Sequence, residues 1–141
     1  MEPNIDHLSI TVKNIKRAED FYDKFLPIVG FDINLKNHDA VPEHYYEVVE
    51  YYSKSLTFCL VNPRKEYLAD EVSRRRPGAV HHIAFRVPSK SYVDEAFIQV
   101  QALGTQIIHS PQYWLEYCDS YYAFFIKDSE GIELEVVNYI R

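Results

Sequence analysis

The sequence predicts an α+β fold made of two βαβββ modules, and three observations predict it. Residues 6–12 (Asp6-His7-Leu8-Ser9-Ile10-Thr11-Val12) align with residues 81–87, 75 positions on, with His7 on His82 and Val12 on Val87. Residues 53–62 align with residues 129–138, 76 positions on, with serine, valine and asparagine coinciding. Gly30 and Gly104 each end an amphipathic segment, 74 positions apart. Self-similarity on this scale describes how a chain is built before any propensity is consulted.

The elements follow in order. Residues 5–12 alternate apolar and polar, which is strand periodicity. Asn14 is a helix cap, and Ala18, Phe21, Tyr22 and Phe25 recur at the spacing of one helical face. Pro27 and Gly30 close that helix. Residues 31–37, 44–52 and 55–61 read as three further strands separated by turn residues. Residues 63–80 form a linker with one short helix near 66–74. The second half repeats the order. A strand covers 82–87, Pro88-Ser89 breaks it, and Val93, Ala96, Phe97, Val100 and Leu103 line a helix that Gly104 ends. Strands near 105–109, 120–127 and 131–138 complete the module. The chain therefore reads as one domain, 1–141, with modules at 4–62 and 81–141.

Composition bounds the function. At 141 residues the chain is long enough to bury a core, and 47% hydrophobic with 26% charged residues is ordinary for a globular protein. A net charge of −6 argues against nucleic acid as a partner. The one basic cluster, Arg74-Arg75-Arg76, stands beside Pro77-Gly78 in the linker and reads as solvated. No apolar run approaches a membrane span, so no membrane partner is expected. Met1–Ile5 lacks a basic-then-apolar leader, and two cysteines far apart suggest no disulfide framework. A cytoplasmic location is the resulting expectation.

Side chains alternate across a strand, so each strand sorts into two faces. Leu8, Ile10, Val12, Leu56, Phe58, Leu60, Ile83, Phe85, Val87, Ile132, Leu134 and Val136 form an all-apolar face that packs under the helices. The other face holds His7, Ser9, Thr11, Ser55, Thr57, Cys59, His82, Ala84, Arg86, Glu133, Glu135 and Val137. It is mostly polar, and two histidines at matched positions with glutamate on the last strand fit a convergent metal site better than open water. By parity His81 points to the opposite face.

These residues resemble the vicinal oxygen chelate superfamily, which includes glyoxalase I, type I extradiol dioxygenases and fosfomycin-resistance transferases. The likeness lies in residues 5–12, Phe21-Tyr22 ahead of Gly30-Phe31, residues 82–87 and residues 125–135. It implies an eight-stranded, open, cup-shaped mixed sheet around one divalent ion, with the helices on the convex side. By the family pattern His7 and His82 are nitrogen ligands. The carboxylate ligand, four residues after the turn glycine Gly131, is Glu135. Their ligating atoms would stand about 2.0–2.3 Å from the ion. Cys59 matches Glu135 in the first module, where glyoxalase I has a fourth protein ligand. A thiolate binds zinc, but free cysteine is more often a small buried hydrophobe. Two His and one Glu suit iron, manganese, nickel or zinc.

Other residues of the polar face take roles around that ion. Glu133, about 6–7 Å along the strand from Glu135, is a proton carrier in catalysis with Glu135, or a carboxylate at the rim. Arg86 either holds a substrate carboxylate or pairs with Glu133 or Glu50. Thr11, Trp114, Tyr117 and Tyr122 are substrate contacts, the last three within an aromatic stretch that also suits dimer packing. His38, His44 and His109 have no repeat partner and stay unassigned. The implied function is a metal-dependent enzyme, a lyase, isomerase or dioxygenase, acting on a small molecule with two neighbouring oxygens, in a homodimer. An extradiol dioxygenase is one alternative, weakened because Phe125 stands where those enzymes place an acidic tyrosine. A protein of the bleomycin-resistance type, which binds a drug or metabolite without turnover, is the other.

Overall fold

Alternation in the first residues produces β1 (His7–Thr11), and Asn14 then caps α1 (Ile15–Ile28) by accepting the Arg17 N–H at 3.0 Å. The computed structural model describes all residues, 1–141, and they divide into two compact units, Met1–Glu71 and Val72–Arg141. In the first unit β2 (Asn37–Val41), β3 (Tyr46–Tyr52) and β4 (Thr57–Val61) follow α1. The sheet order is β1-β4-β3-β2, with β1 parallel to β4 and the other pairs antiparallel.

The second unit repeats this plan. It holds β5 (Ile83–Arg86), α2 (Lys90–Ala102), β6 (Gln106–Tyr113), β7 (Tyr122–Lys127) and β8 (Glu133–Asn138), in the order β5-β8-β7-β6. Ser89 caps α2 by accepting the Tyr92 N–H at 3.1 Å. Gly30 and Gly104, past the two helix ends, both take positive φ (+104° and +71°), as the left-handed exit from a helix requires.

One face of each sheet is the apolar one read from the sequence. In the first unit Ile10, Val12, Phe58 and Leu60 are buried with Ala18, Tyr22, Phe25 and Leu26 of α1, and the rings of Tyr22 and Phe58 lie 5.0 Å apart. In the second, Phe124, Ile126, Leu134 and Val136 are buried with Val93, Ala96 and Val100 of α2, and Phe97 meets Phe124 at 5.2 Å. Full burial of each large apolar side chain contributes about 1.5–3 kcal/mol.

Three expected elements differ. The strand expected at 31–37 is absent: the Asp32 carboxylate accepts the Asn34 N–H at 3.0 Å and starts a 3-10 turn, Ile33–Leu35. An aspartate that bonds its own backbone two residues on favours a turn over a ladder. The first edge strand is therefore displaced to Asn37–Val41. The helix expected near 66–74 is a single 3-10 turn, Lys65–Tyr67. The strand expected at 105–109 continues to Tyr113, running on through Pro111, which an edge strand tolerates. No helix is long and apolar enough to cross a membrane.

Candidate functional site

The turn from β7 to β8 decides which side chains face the site. Asp128, 7% exposed, accepts the N–H groups of Glu130 and Ile132 at 2.8 Å, and Gly131 adopts φ +87°. This pins the register Phe125↔Glu135 and Ala84↔Glu135. Glu133 and Glu135 consequently share the face away from α2, because a one-residue slip would move every side chain across the sheet.

Glu135 is the centre of the arrangement. It is 2% exposed, and Tyr121 donates its hydroxyl to Oε1 at 2.6 Å. The other oxygen, Oε2, faces His82 Nε2 at 3.5 Å. Burial raises the Glu135 carboxyl above the usual carboxylate range. The Tyr121 hydrogen bond and the nearby His82 pull it part of the way back, and Glu133 adds to the rise. Burial, followed by the bond to Glu135, in turn holds the Tyr121 phenol well above its ordinary value. Glu133 is engaged elsewhere: Arg74 donates to its Oε2 at 2.5 Å.

Around these groups lies a cavity of about 480 Å³, lined by Arg74, His82, His109, Trp114, Tyr117 and Phe125 with Tyr121, His81 and the two glutamates. Its aromatic wall is fixed from behind. Ala123, Phe125 and Val137 form a buried apolar cluster against which Ile108, Trp114, Tyr121 and Tyr139 pack. Trp114 donates its indole N–H to the Ala123 carbonyl at 3.1 Å, which sets the ring's orientation.

The first unit carries the matched face. His7 pairs with Thr57 and Ser9 with Cys59, just as Ala84 pairs with Glu135. His7, Ser9, Thr57 and Cys59 line one polar hollow with Glu50 and Tyr52. Cys59 thus stands where the repeat places it, opposite the helix side. It is 6% exposed, and burial pushes its thiol up, only partly countered by a hydrogen bond with Ser9. A buried free thiol of this kind packs as a small hydrophobe.

The structure brings His82, Glu135, Glu133, Trp114 and Tyr117 together at one cavity. Other expected site residues lie apart from it. Tyr122 is on the helix-covered face, where its hydroxyl donates to Asp94 at 2.7 Å and burial pushes its pKa up to about 12. Arg86 donates to the Tyr139 carbonyl at 2.6 Å and stacks over that ring, pairing with neither Glu133 nor Glu50. Thr11 borders a different hollow in the first unit, with Tyr45, Tyr46 and Tyr67. His7 is in the first unit, and within neither unit do three His, Cys, Asp or Glu side chains cluster as a metal-binding group.

The parity reading of His81 is corrected. β5 begins at Ile83, so strand alternation does not govern 81–82, and the two imidazoles meet through their Nδ1 atoms at 2.7 Å beside the same cavity. Sequence reasoning gave no role to Arg74 or His109, and put Tyr121 only within the aromatic stretch near the mouth, without its bond to Glu135. Tyr121 was expected inside a strand at 120–127 but precedes β7, Arg74 read as solvated linker, and His109 lacks a repeat partner.

A sequence profile of the Glyoxalase/Bleomycin resistance protein/Dioxygenase superfamily matches residues 4–136. The uncharacterized protein YqjT of Bacillus subtilis (strain 168) is 24% identical over 134 residues, spanning 93% of this chain and 95% of that protein. Among solved structures, a glyoxylase/bleomycin resistance protein/dioxygenase domain from Frankia sp. EAN1pec has a TM-score of 0.79 at 15% identity, covering 99% of this chain and 100% of that one. A glyoxalase family protein from Enterococcus faecalis has a TM-score of 0.72 at 18% identity, over 96% and 97%. The fosfomycin resistance protein FosX of Listeria monocytogenes, complexed with Mn(II) and sulfate, has a TM-score of 0.65 at 14% identity, over 99% and 95%. At these identities the likeness of structures establishes the fold alone.

Proposed function

The chain belongs to the Glyoxalase/Bleomycin resistance protein/Dioxygenase superfamily, and on that premise we propose that it is a divalent-metal-dependent enzyme acting on a small substrate with two neighbouring oxygens. The observation that carries this reading is the setting of Glu135. It is a buried carboxylate with no lysine or arginine bonded to it, and its second oxygen is turned to an imidazole nitrogen. A buried charge is costly unless a cation or proton compensates it, so this nitrogen–oxygen pair fits a divalent ion. His82 and Glu135 would hold the ion, and the family pattern adds His7, from this chain or a second copy. Such an ion supplies Lewis acidity to oxygens bound on it.

The chain's own residues do the rest. Tyr121 fixes Glu135 by its hydrogen bond and leaves Oε2 directed at His82. As the carboxylate beside the ion, Glu135 would also be placed to move a proton there. Glu133, bonded to Arg74, fits a rim carboxylate better than a free proton carrier. The aromatic wall excludes water from one side of the cavity. Phe125 in the place of an acidic tyrosine disfavours the extradiol dioxygenase alternative. A cytoplasmic location belongs to this reading too.

The test is metal analysis of the purified protein, then Mn(II) titration, then a screen of catechols, hemithioacetals and 2-keto acids for turnover. Binding of about one ion per chain, abolished in Glu135→Gln, supports the proposal. A protein that takes up no metal yet binds an aromatic compound without turnover would replace it with the bleomycin-resistance type of reading.

A further inference from the structure

His109 owes its position to an irregularity in β6. At the start of the strand Ile107 pairs with Ile126, a fully buried core residue on the α2 side. A regular ladder would next put His109 opposite Phe124, also on the α2 side. Instead the register shifts between Ile107 and His109, and His109 stands opposite Phe125. A bulge inserts one residue and re-aims those that follow. Here it takes a histidine from the core side to the cavity wall.

What holds His109 there is aromatic contact alone. Its ring lies 5.0 Å from Trp114 at 74° and 5.9 Å from Phe125 at 89°. Neither ring nitrogen is hydrogen-bonded or ion-paired with a protein group, in contrast to Glu133, Glu135, Tyr121, Trp114 and His81, which all have partners. The imidazole is thus oriented by its carbon faces and edges while its polar atoms stay available. Beside it, Trp114 is fixed by Ala123 and lies near-parallel to Tyr117 at 6.4 Å. A flat, anchored ring such as Trp114 rewards a flat ligand, because stacking adds to burial only when two planes can meet.

We propose that the second-unit cavity takes a planar conjugated ligand and that His109 hydrogen-bonds to its polar group. The proposal rests on the part of the functional reading that puts the substrate in this cavity. It names the class of that substrate and a residue that selects it.

The chain has one tryptophan, Trp114, so its emission reports on this wall alone. The probe is 4-nitrocatechol, a flat ring with two adjacent oxygens whose absorbance quenches indole emission, titrated into the protein as purified. Saturable quenching is expected, and trans-1,2-cyclohexanediol, with the same two oxygens on a puckered ring, should compete at least tenfold more weakly than unsubstituted catechol. His109→Phe keeps the ring contacts and removes both nitrogens, so its Kd should rise about tenfold, the loss of one hydrogen bond. His109→Gln keeps polar atoms without the ring and should stay within about threefold of wild type. A merely structural histidine gives the reverse order, with Phe tolerated and Gln damaging, and that result would overturn the role of His109. His109→Leu, read as the Phe variant is, covers a Phe variant that does not fold. Absence of quenching, or equal competition by the two diols, would overturn the planar ligand. Quenching by a protein that takes up no metal would overturn the metal reading and support this one.

Discussion

Replacing Tyr121 by Phe removes one oxygen atom from the protein and leaves Glu135 Oε1 without its donor at 2.6 Å. A hydrogen bond to a charged group contributes about 1.5–3 kcal/mol, and one between neutral partners about 0.5–1.5 kcal/mol. Tyr121 is only partly buried, so the lower end of each range applies. The cost of the variant then depends on the charge of Glu135. Burial holds that carboxyl above its usual 4.5, so the folded protein keeps this proton at pH values where the unfolded chain has lost it. The contribution of Glu135 to stability is therefore greatest below pH 4.5 and declines as pH rises towards the folded pKa. The phenol bond favours the ionised form and limits that decline. Without it the folded pKa rises further and the decline deepens. In metal-stripped protein the expected cost is about 0.5 kcal/mol at pH 4.5 and about 1.5 kcal/mol at pH 7.5. Urea unfolding at the two pH values, with an unchanged m-value, measures it. Equal costs at both, or a smaller one at pH 7.5, would refute the assignment of Tyr121 as the donor that stabilises ionised Glu135.

The other expectations can be checked separately. Lys36 bonds Glu19 at 2.8 Å and Asp23 at 2.9 Å; burial pushes the Glu19 carboxyl up, but the bonds from Lys36 and His38 outweigh it and leave it below 4.5. That stabilisation is present above pH 4.5 and fades on acidification, so Lys36→Met should cost about 1–2 kcal/mol at pH 7 and little at pH 3 by thermal unfolding. Glu135→Gln should weaken Mn(II) binding in calorimetry at least 100-fold, while Glu133→Gln should weaken it less than about threefold. A thiol reagent should label Cys118 quickly and the buried Cys59 only on the timescale of unfolding, since Cys59 is 6% exposed. Sedimentation at micromolar concentration should give a homodimer, given exposed Tyr45, Tyr46, Tyr113 and Tyr117; a clean monomer would assign those rings to ligand capture instead.

The faces of the strands were readable because periodicity and repeat agree. Ile10, Phe58, Phe85 and Leu134 lie on the helix side, and Cys59 and Glu135 on the other, as alternation requires. Alternation failed where the chain is not a regular strand. His81 precedes β5, the Asp32 turn interrupts the run at 31–37, and His109 lies beyond a bulge that parity cannot count. Tyr122 and Tyr121 show the same limit: composition marked an aromatic stretch, but only the register determines which tyrosine meets Glu135 and which meets Asp94. Arg74 was hidden by its distance, 59 residues from the glutamate it binds.

The two sheet-closing turns differ in length by one residue. Glu50 pairs with Cys59 and Phe125 with Glu135, so the repeat offset is 75 before the turn and 76 after it. The shorter turn closes on Ser53, whose hydroxyl takes the Leu56 N–H at 3.1 Å; the longer one closes on Asp128 and needs Gly131. A chimera that gave the second module the first module's four-residue turn would still pair Lys127 with Glu133, as Tyr52 pairs with Thr57. Its last strand would keep Leu134 on the helix side and Glu135 at the cavity, because the extra residue is confined to the turn. The duplicated halves thus tolerate a change of length at this join without moving a side chain across the sheet, so an insertion there leaves the site intact.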